Sequence, residues 1–471
     1  MAVDFDVATT LQTVSKTVQE QYRDKWLEQE FVSGKITNRI FSPGKVKVVG
    51  DGVTFQYKRY PGNVFRAGND PYAEFQAGTP FDPRNLKLRW NERDPSNHDF
   101  THLCGSVRLG MYDLQRAGDP GLIVSIVDQV TKDLRYDFGW KWAVLQNVRR
   151  TGKIASVNGN TGKNLDSNSM ADATAYTSGS TSIRVYVDGG SIALFRPGVE
   201  YDIYNGNTLY AANVLCDGEI NATDTASNST GSIGLAITSR TTGITNFNTL
   251  QSAGDNYSFY LAGSKDKAMW SREEWMTQPG ASDTFINGIN RKTSSYQFLL
   301  PIITRIGATA APITKGMLDD AATFAGFAND EPDMARVGLC NDRVLQTLRN
   351  QFEAAAFVTW TSKNDVSERY GNMGLAGLNY QHPNLGNIKF VTDPMMNIDK
   401  IDLINMMSWK ACTYGKDGLN LISNGNGYWN RVPSSTPGNG LGKTYSMDAY
   451  SDAVSYCEDV KSNIRISNIT P

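Results

Sequence analysis

The sequence predicts an α+β chain with a β-rich segment set between helical parts, and three observations carry that reading. A proline-led amphipathic stretch at 119–148 fits one long helix, two alternating runs flanking a long loop at 53–90 fit paired strands, and a Gly, Ser, Thr and Asn-rich span at 151–265 is cut into strand-length pieces.

The first element is the N-terminal stretch. Val7, Leu11, Val14, Val18, Tyr22 and Trp26 recur at steps of three and four, which predicts an amphipathic helix over 6–30. An ordinary core helix of the same subunit has the same periodicity.

Next, Val53, Phe55 and Tyr57 alternate with Thr54, Gln56 and Lys58, while Leu86, Leu88 and Trp90 alternate with Lys87 and Arg89, so each run reads as a half-buried strand. Between them Pro61, Gly62, Gly68, Pro71, Gly78, Pro80 and Pro83 forbid a regular element. That middle also carries Tyr60, Val64, Phe65, Tyr72, Phe75 and Phe81. A projecting hairpin cannot cover all these rings by itself, so either another polypeptide covers them or the loop folds back across its own domain.

In DPGLIVSIVDQVTKDLRYDFGWKWAVLQN, Asp119 caps the first free amides and Pro120 fits the first helical position. Leu122, Ile126, Val130, Leu134 and Phe138 then line one face with Ile123 and Val127 beside them, which predicts the longest helix of the chain.

The span 151–265 contains SIRVYVDG, VEYDIYNG, GSIGLAITS and YSFYLAG, strands separated by turn residues, which fit a small barrel or a sandwich equally well. Beyond it, MLDDAATFAGFA predicts a helix with Leu318, Ala321, Ala322 and Ala325 inward; Val337 and Leu339 predict a strand; and Asn341 caps a helix through Val344, Leu345, Leu348 and Phe352. GNIKFVTDP reads as a strand ending in a turn, and Ile464 and Ile466 fit a last strand.

Composition narrows the function. At 471 residues, 40% hydrophobic and 20% charged, the chain reads as soluble and globular, with a length that suggests roughly two to four domains. A net charge of -2 makes no case for a nucleic-acid-binding surface. No leader-like or membrane-length apolar run is expected, and five widely spaced cysteines suit free thiols in a reducing compartment.

The chemical motifs are weak. PGNGLGKT at 437–444 has Pro437 where a phosphate loop needs its first glycine, and no apolar helix follows Lys443. His98 and His102 on a strand would stand about 13 Å apart, too far to share an ion, although a helix would bring them and Cys104 together. His382 has no nucleophile elbow, and Glu273 with Glu274, like Asp319 with Asp320, reads as solvated surface. Asn221 and Asn228 match the glycosylation pattern, a chance match in a chain with no export signal. No catalytic residue, cofactor or metal site is expected.

The succession of helical arm, extended loop on two strands, long capped helix and α/β region resembles the major capsid proteins of tailed bacteriophages, which have the Hong Kong 97-type fold. The junction TFINGINRKTSSYQF, with Gly288 and Ile289, is similar to the family's step into its axial domain, and GNIKFVTDPMMNIDKIDL, with Asp393 and Pro394, is similar to the strand and turn that lead back. The resemblance implies an N-terminal arm at 1–45, an extended loop at 46–110, a spine helix of the peripheral domain at 111–150, an inserted β-rich domain at 151–265, a return at 266–300, an axial domain at 301–430, and closing loops and strand of the peripheral domain at 431–471.

What the resemblance implies about function is self-assembly into hexamers and pentamers of an icosahedral shell that encloses double-stranded DNA. Tyr60, Phe65, Tyr72, Phe75 and Phe81 would then meet one neighbour, Val14, Val18, Tyr22 and Trp26 another, and Gly118 would serve as a hinge before the spine. The implied partners are the chain itself, a separate scaffolding protein, a portal, a decoration or cement protein and non-specifically held DNA, with no membrane; the setting is the virion, assembled in host cytoplasm. Relatives that crosslink use a lysine near the loop tip, and 60–85 has none. Two other classes compete: an encapsulin-like cellular nanocompartment, and a β-rich hydrolase or carbohydrate-binding protein working through 151–265.

Overall fold

The computed structural model describes residues 43–47, 52–56, 85–89, 99–110, 120–157, 181–188, 192–221, 231–247, 250, 257–280, 285–292, 294–305, 310–328, 336–356, 378–382, 386–413, 420–421, 429–433 and 441–470. The arm residues Val14, Val18, Tyr22 and Trp26, the loop residues Tyr60, Phe65, Tyr72, Phe75 and Phe81, and Gly118 lie outside the described residues.

In chain order, β1 (Pro43–Lys47) is followed by a two-stranded antiparallel ribbon, β2 (Gly52–Gln56) with β3 (Asn85–Arg89), in which Val53 faces Leu88 and Phe55 faces Leu86. The predicted alternation holds: Val53, Phe55, Leu86 and Leu88 are buried while Thr54 is exposed. Then come β4 (Thr101–Gly110) and α1 (Pro120–Gln146), which starts at the proline and, at 27 residues or about 40 Å, is the longest helix among the described residues.

The face expected on α1 is only part of what it buries. Leu134 is buried and Ile126, Val130 and Phe138 are half-buried, but Trp140 and Trp142–Leu145 are buried almost all round. Their end of α1 joins one apolar core with the β-rich segment and with Ala411 and Ala453 of the neighbouring sheet. Gly105 of β4 lies directly beneath α1: a Cβ there would stand 3.1 Å from Phe138 and 3.2 Å from Leu134.

The β-rich segment is a closed antiparallel barrel, not a sandwich. Its strands are β5 (Lys153–Val157), β6 (Ser182–Asp188), β7 (Glu200–Asn205), β8 (Thr208–Asn221), β9 (Gly231–Ala236) and β10 (Tyr257–Leu261), and β10 closes it by pairing with both β5 and β7. Closure removes the free strand edges. Val185, Ile203, Val214, Ile233, Leu235 and Phe259 are buried in its core.

The chain leaves the barrel into a single buried turn, α2 (Arg272–Met276), N-capped by Ser271, whose hydroxyl accepts the Glu274 N–H. A turn at 285–289 follows, in which Gly288 has φ 73°, a left-handed conformation that glycine takes without strain. Next are β11 (Ile302–Arg305), β12 (Ala311–Pro312), α3 (Lys315–Ala328), β13 (Arg336–Cys340), α4 (Asp342–Ala356), β14 (Leu378–His382), β15 (Gly386–Thr392), β16 (Lys400–Asn405), β17 (Trp409–Thr413), β18 (Asn420–Leu421), β19 (Trp429–Pro433), β20 (Leu441–Cys457), β21 (Ile464–Ser467) and β22 (Ile469–Thr470). As expected, Asn341 caps α4, its side-chain oxygen accepting the Arg343 N–H at 3.2 Å.

Two sheets organise this half. One joins β1, β17, β20 and β18, with β4 and β19 also on β20; the other runs β11-β21-β16-β13-β15-β14. The C-terminal segment 431–471 contributes strands to both. β20 pairs with β4, whereas Ile464 and Ile466 of β21 are buried against Leu318 of α3 and Val344 and Leu348 of α4 in the second core. The turn at Val460–Ser462, capped by Asp459, redirects the chain between them.

Candidate functional site

The root of the ribbon is built into the body. Phe55 stacks on Tyr456 of β20 at a centroid distance of 4.3 Å and meets the edge of Trp275 in α2 at 6.3 Å. Trp270 and Trp275 both meet Phe285 edge-on at 4.7 Å. Asp99 accepts the Arg89 N–H at 2.7 Å and the Trp270 indole N–H at 2.8 Å. The root of the ribbon is thus fixed to β20, α2 and the segment returning from the barrel.

Beneath it lies an ionic junction on α2. Glu273 and Glu274, expected on the solvated surface, are both buried. Successive helical residues do point apart, but each direction meets cations. Glu273 accepts two bonds from the Arg465 guanidinium, at 3.0 and 2.9 Å, and one from Lys400 Nζ at 2.8 Å. Glu274 accepts from Arg149 at 3.2 Å twice and from the Arg150 N–H at 3.1 Å. Burial alone would raise the Glu273 carboxyl, but Arg465 and Lys400 overcome that and hold it well below the usual carboxylate range.

Asp402 completes the junction, joined at two points to Arg465 and lying 3.4 Å from the buried Arg272. Arg272 also donates to Asn147 at the end of α1 and its backbone N–H to Gln146 at 3.1 Å. Arg291 donates to the carbonyls of Glu274, Trp275 and Thr277 at 3.0–3.2 Å. The end of α1, the barrel exit and the second sheet are locked together here. Its readable trace was a charge inside each of two apolar strands, Asp402 in KIDLIN and Arg465 in IRIS, which the antiparallel register sets opposite each other.

A cleft of about 1490 Å³ opens between β4, α1 and the rim of the barrel. Arg196 of the rim pairs with Asp137 of α1 at 3.2 Å and lies over Tyr136 at 4.5 Å, fastening barrel to helix. Arg108, Lys141, Arg196, Arg240 and Lys267 line the cleft against Asp133, Asp137 and Glu200.

The weaker motifs resolve without chemistry. Leu441–Thr444 of the glycine-rich stretch begin strand β20, so no helix dipole follows Lys443. His102 and Cys104 lie on strand β4, where His102 Nδ1 bonds the buried Asp452; His98 lies outside the described residues. His382 stands in β14, Asp320 is exposed and Asp319 half-buried in α3. Among the described residues no group of three His, Cys, Asp or Glu is placed to hold a metal ion, and no helix is long and apolar enough to cross a membrane. The five cysteines are free; burial pushes the Cys412 and Cys457 thiols up to about 12, which keeps them protonated.

No protein-family model matches the chain, and no curated protein matches it. Among solved structures, it is similar to the capsid of cyanophage A-1(L), at 11% identity and a TM-score of 0.43 over 91% of both chains. It is also similar to the capsid of the Myoviridae phage XM1, at 10% identity and 0.37 over 93% of both. A third is the satellite phage P4 procapsid, at 9% identity and 0.35 over 98% of this chain and 99% of that one.

Proposed function

We propose that the chain is the major shell subunit of a tailed-phage capsid and self-assembles into hexamers and pentamers around packaged DNA. The single observation that carries this is the ribbon: both strands are anchored at the root by Phe55, Leu88 and Asp99, while the 28 residues between Gln56 and Asn85 hold six aromatic rings. A segment of that composition on a fixed base finds its partner on another copy.

The cleft supports the same reading. The loop tip at 60–83 carries Arg66 against Asp70, Glu74 and Asp82, and the cleft carries five cations against three acids, so the two surfaces attract as well as bury apolar area. At roughly 25 cal/mol per Å², each buried ring contributes on the order of 1 to 3 kcal/mol before association entropy is subtracted. Many such contacts, each weak, close a shell. The partners this implies are a separate scaffolding protein, a portal, a decoration or cement protein and DNA held without sequence preference, in a virion assembled in host cytoplasm.

The barrel favours a bracing role over hydrolysis or carbohydrate binding, because side chains fill its interior and its rim is tied to α1 through Arg196. Negative-stain electron microscopy of the purified chain tests the assignment. Closed shells, or rings of six and five, are expected; a dispersed monomer at high concentration would reject it.

A further inference from the structure

Asp99 is buried where three parts of the chain meet. One carboxylate oxygen accepts the backbone N–H of Arg89, the last residue of β3, and the other accepts the Trp270 indole N–H. The Asp99 N–H returns a bond to the Arg89 carbonyl at 2.9 Å. The carboxylate therefore stands where the next carbonyl of a strand ladder would, and fixes the ribbon to the segment returning from the barrel. Trp270 is itself covered by the Arg150 guanidinium at 4.5 Å, on the segment entering the barrel. Both stems of the barrel thus bear on one side chain, and that side chain bears on the ribbon.

We propose that Asp99 is a positioning residue for assembly: it sets the angle at which the ribbon leaves the body and ties that angle to the two stems of the barrel. This rests on the capsid reading. Charge-assisted bonds to donors on either side are directional as well as strong, so a carboxylate here orients what an apolar contact would only hold. A rotation at the root is carried to everything beyond Gln56.

The test compares three full-length variants. D99N turns one acceptor into a donor, so it fails either the Arg89 N–H or the Trp270 N–H; W270F keeps the ring and removes only the donor; R89A keeps the backbone donor and removes the guanidinium whose Nε lies 3.8 Å from Asp99, which separates that ion pair from the backbone bond. Hydrogen exchange on the unassembled subunit should quicken at the Arg89 amide by about tenfold in D99N. W270F should quicken it too, and R89A should leave the neighbouring amides at the wild-type rate. In micrographs, D99N and W270F should give particles of broadened diameter or open sheets, a change that loss of stability alone does not produce.

Wild-type exchange and wild-type particle diameters in both D99N and W270F would overturn the proposal, as would R89A behaving like D99N. If D99N does not fold, W270F decides by the same two readings. If the unsubstituted chain makes no shells, the capsid reading fails, and hydrogen exchange alone decides whether Asp99 holds the root.

Discussion

Arg465 and Asp402 face each other across β21 and β16 and are joined at two points, Nε to Oδ1 at 2.7 Å and Nη2 to Oδ2 at 2.8 Å, with both side chains buried. The same guanidinium reaches Glu273 of α2, so one arginine ties the second sheet to the turn that carries the barrel's exit. Burying these charges is costly, and the arrangement persists because each of the acids meets more than one cation.

Removing the shared cation should therefore be severe. Arg465→Met leaves Asp402 and Glu273 buried with fewer partners and is expected to cost about 3–5 kcal/mol, read as a lowered denaturation midpoint in urea. A loss under about 1 kcal/mol would mean that the junction relaxes to admit water.

Glu273 makes the junction sensitive to acid. Its folded pKa lies below its unfolded value, so its stabilisation is fully present above about pH 4.3 and is lost as pH falls through the folded value. Glu273→Gln should be less stable than wild type at pH 7, with the gap narrowing as pH drops below about 4. A gap unchanged across that range in chemical denaturation would contradict the assigned pairing.

At the ribbon's root, Phe55→Ala should cost about 3–5 kcal/mol, because it removes a ring packed on Tyr456 and Trp275. A cycle with Tyr456→Leu should return a coupling of about 0.5–1.5 kcal/mol. Additive losses would mean that Phe55 acts through bulk burial and not through the stack.

Much of this was legible in the chain. Pro120 marks the start of α1, the alternation of Val53, Phe55, Leu86 and Leu88 gives the ribbon, and Asn341 gives the cap of α4, because each signal is local. The barrel's closure was not legible, since it depends on β10 pairing with both β5 and β7. The burial of Glu273 was hidden for the same reason: Lys400 and Arg465 are 127 and 192 residues away in sequence. A charged pair on a short turn looks solvated until the fold brings its partners.

The central claim is that the rings at 57–84 are covered by a neighbouring copy. Electron microscopy with light-scattering mass of the purified wild-type, Phe75→Ala and Phe81→Ala chains tests it most directly. The account predicts closed shells from wild type, and folded subunits of wild-type thermal stability but sharply reduced particle yield from the two variants. Wild-type yields from both, or a wild-type chain that stays monomeric at high concentration, would contradict it.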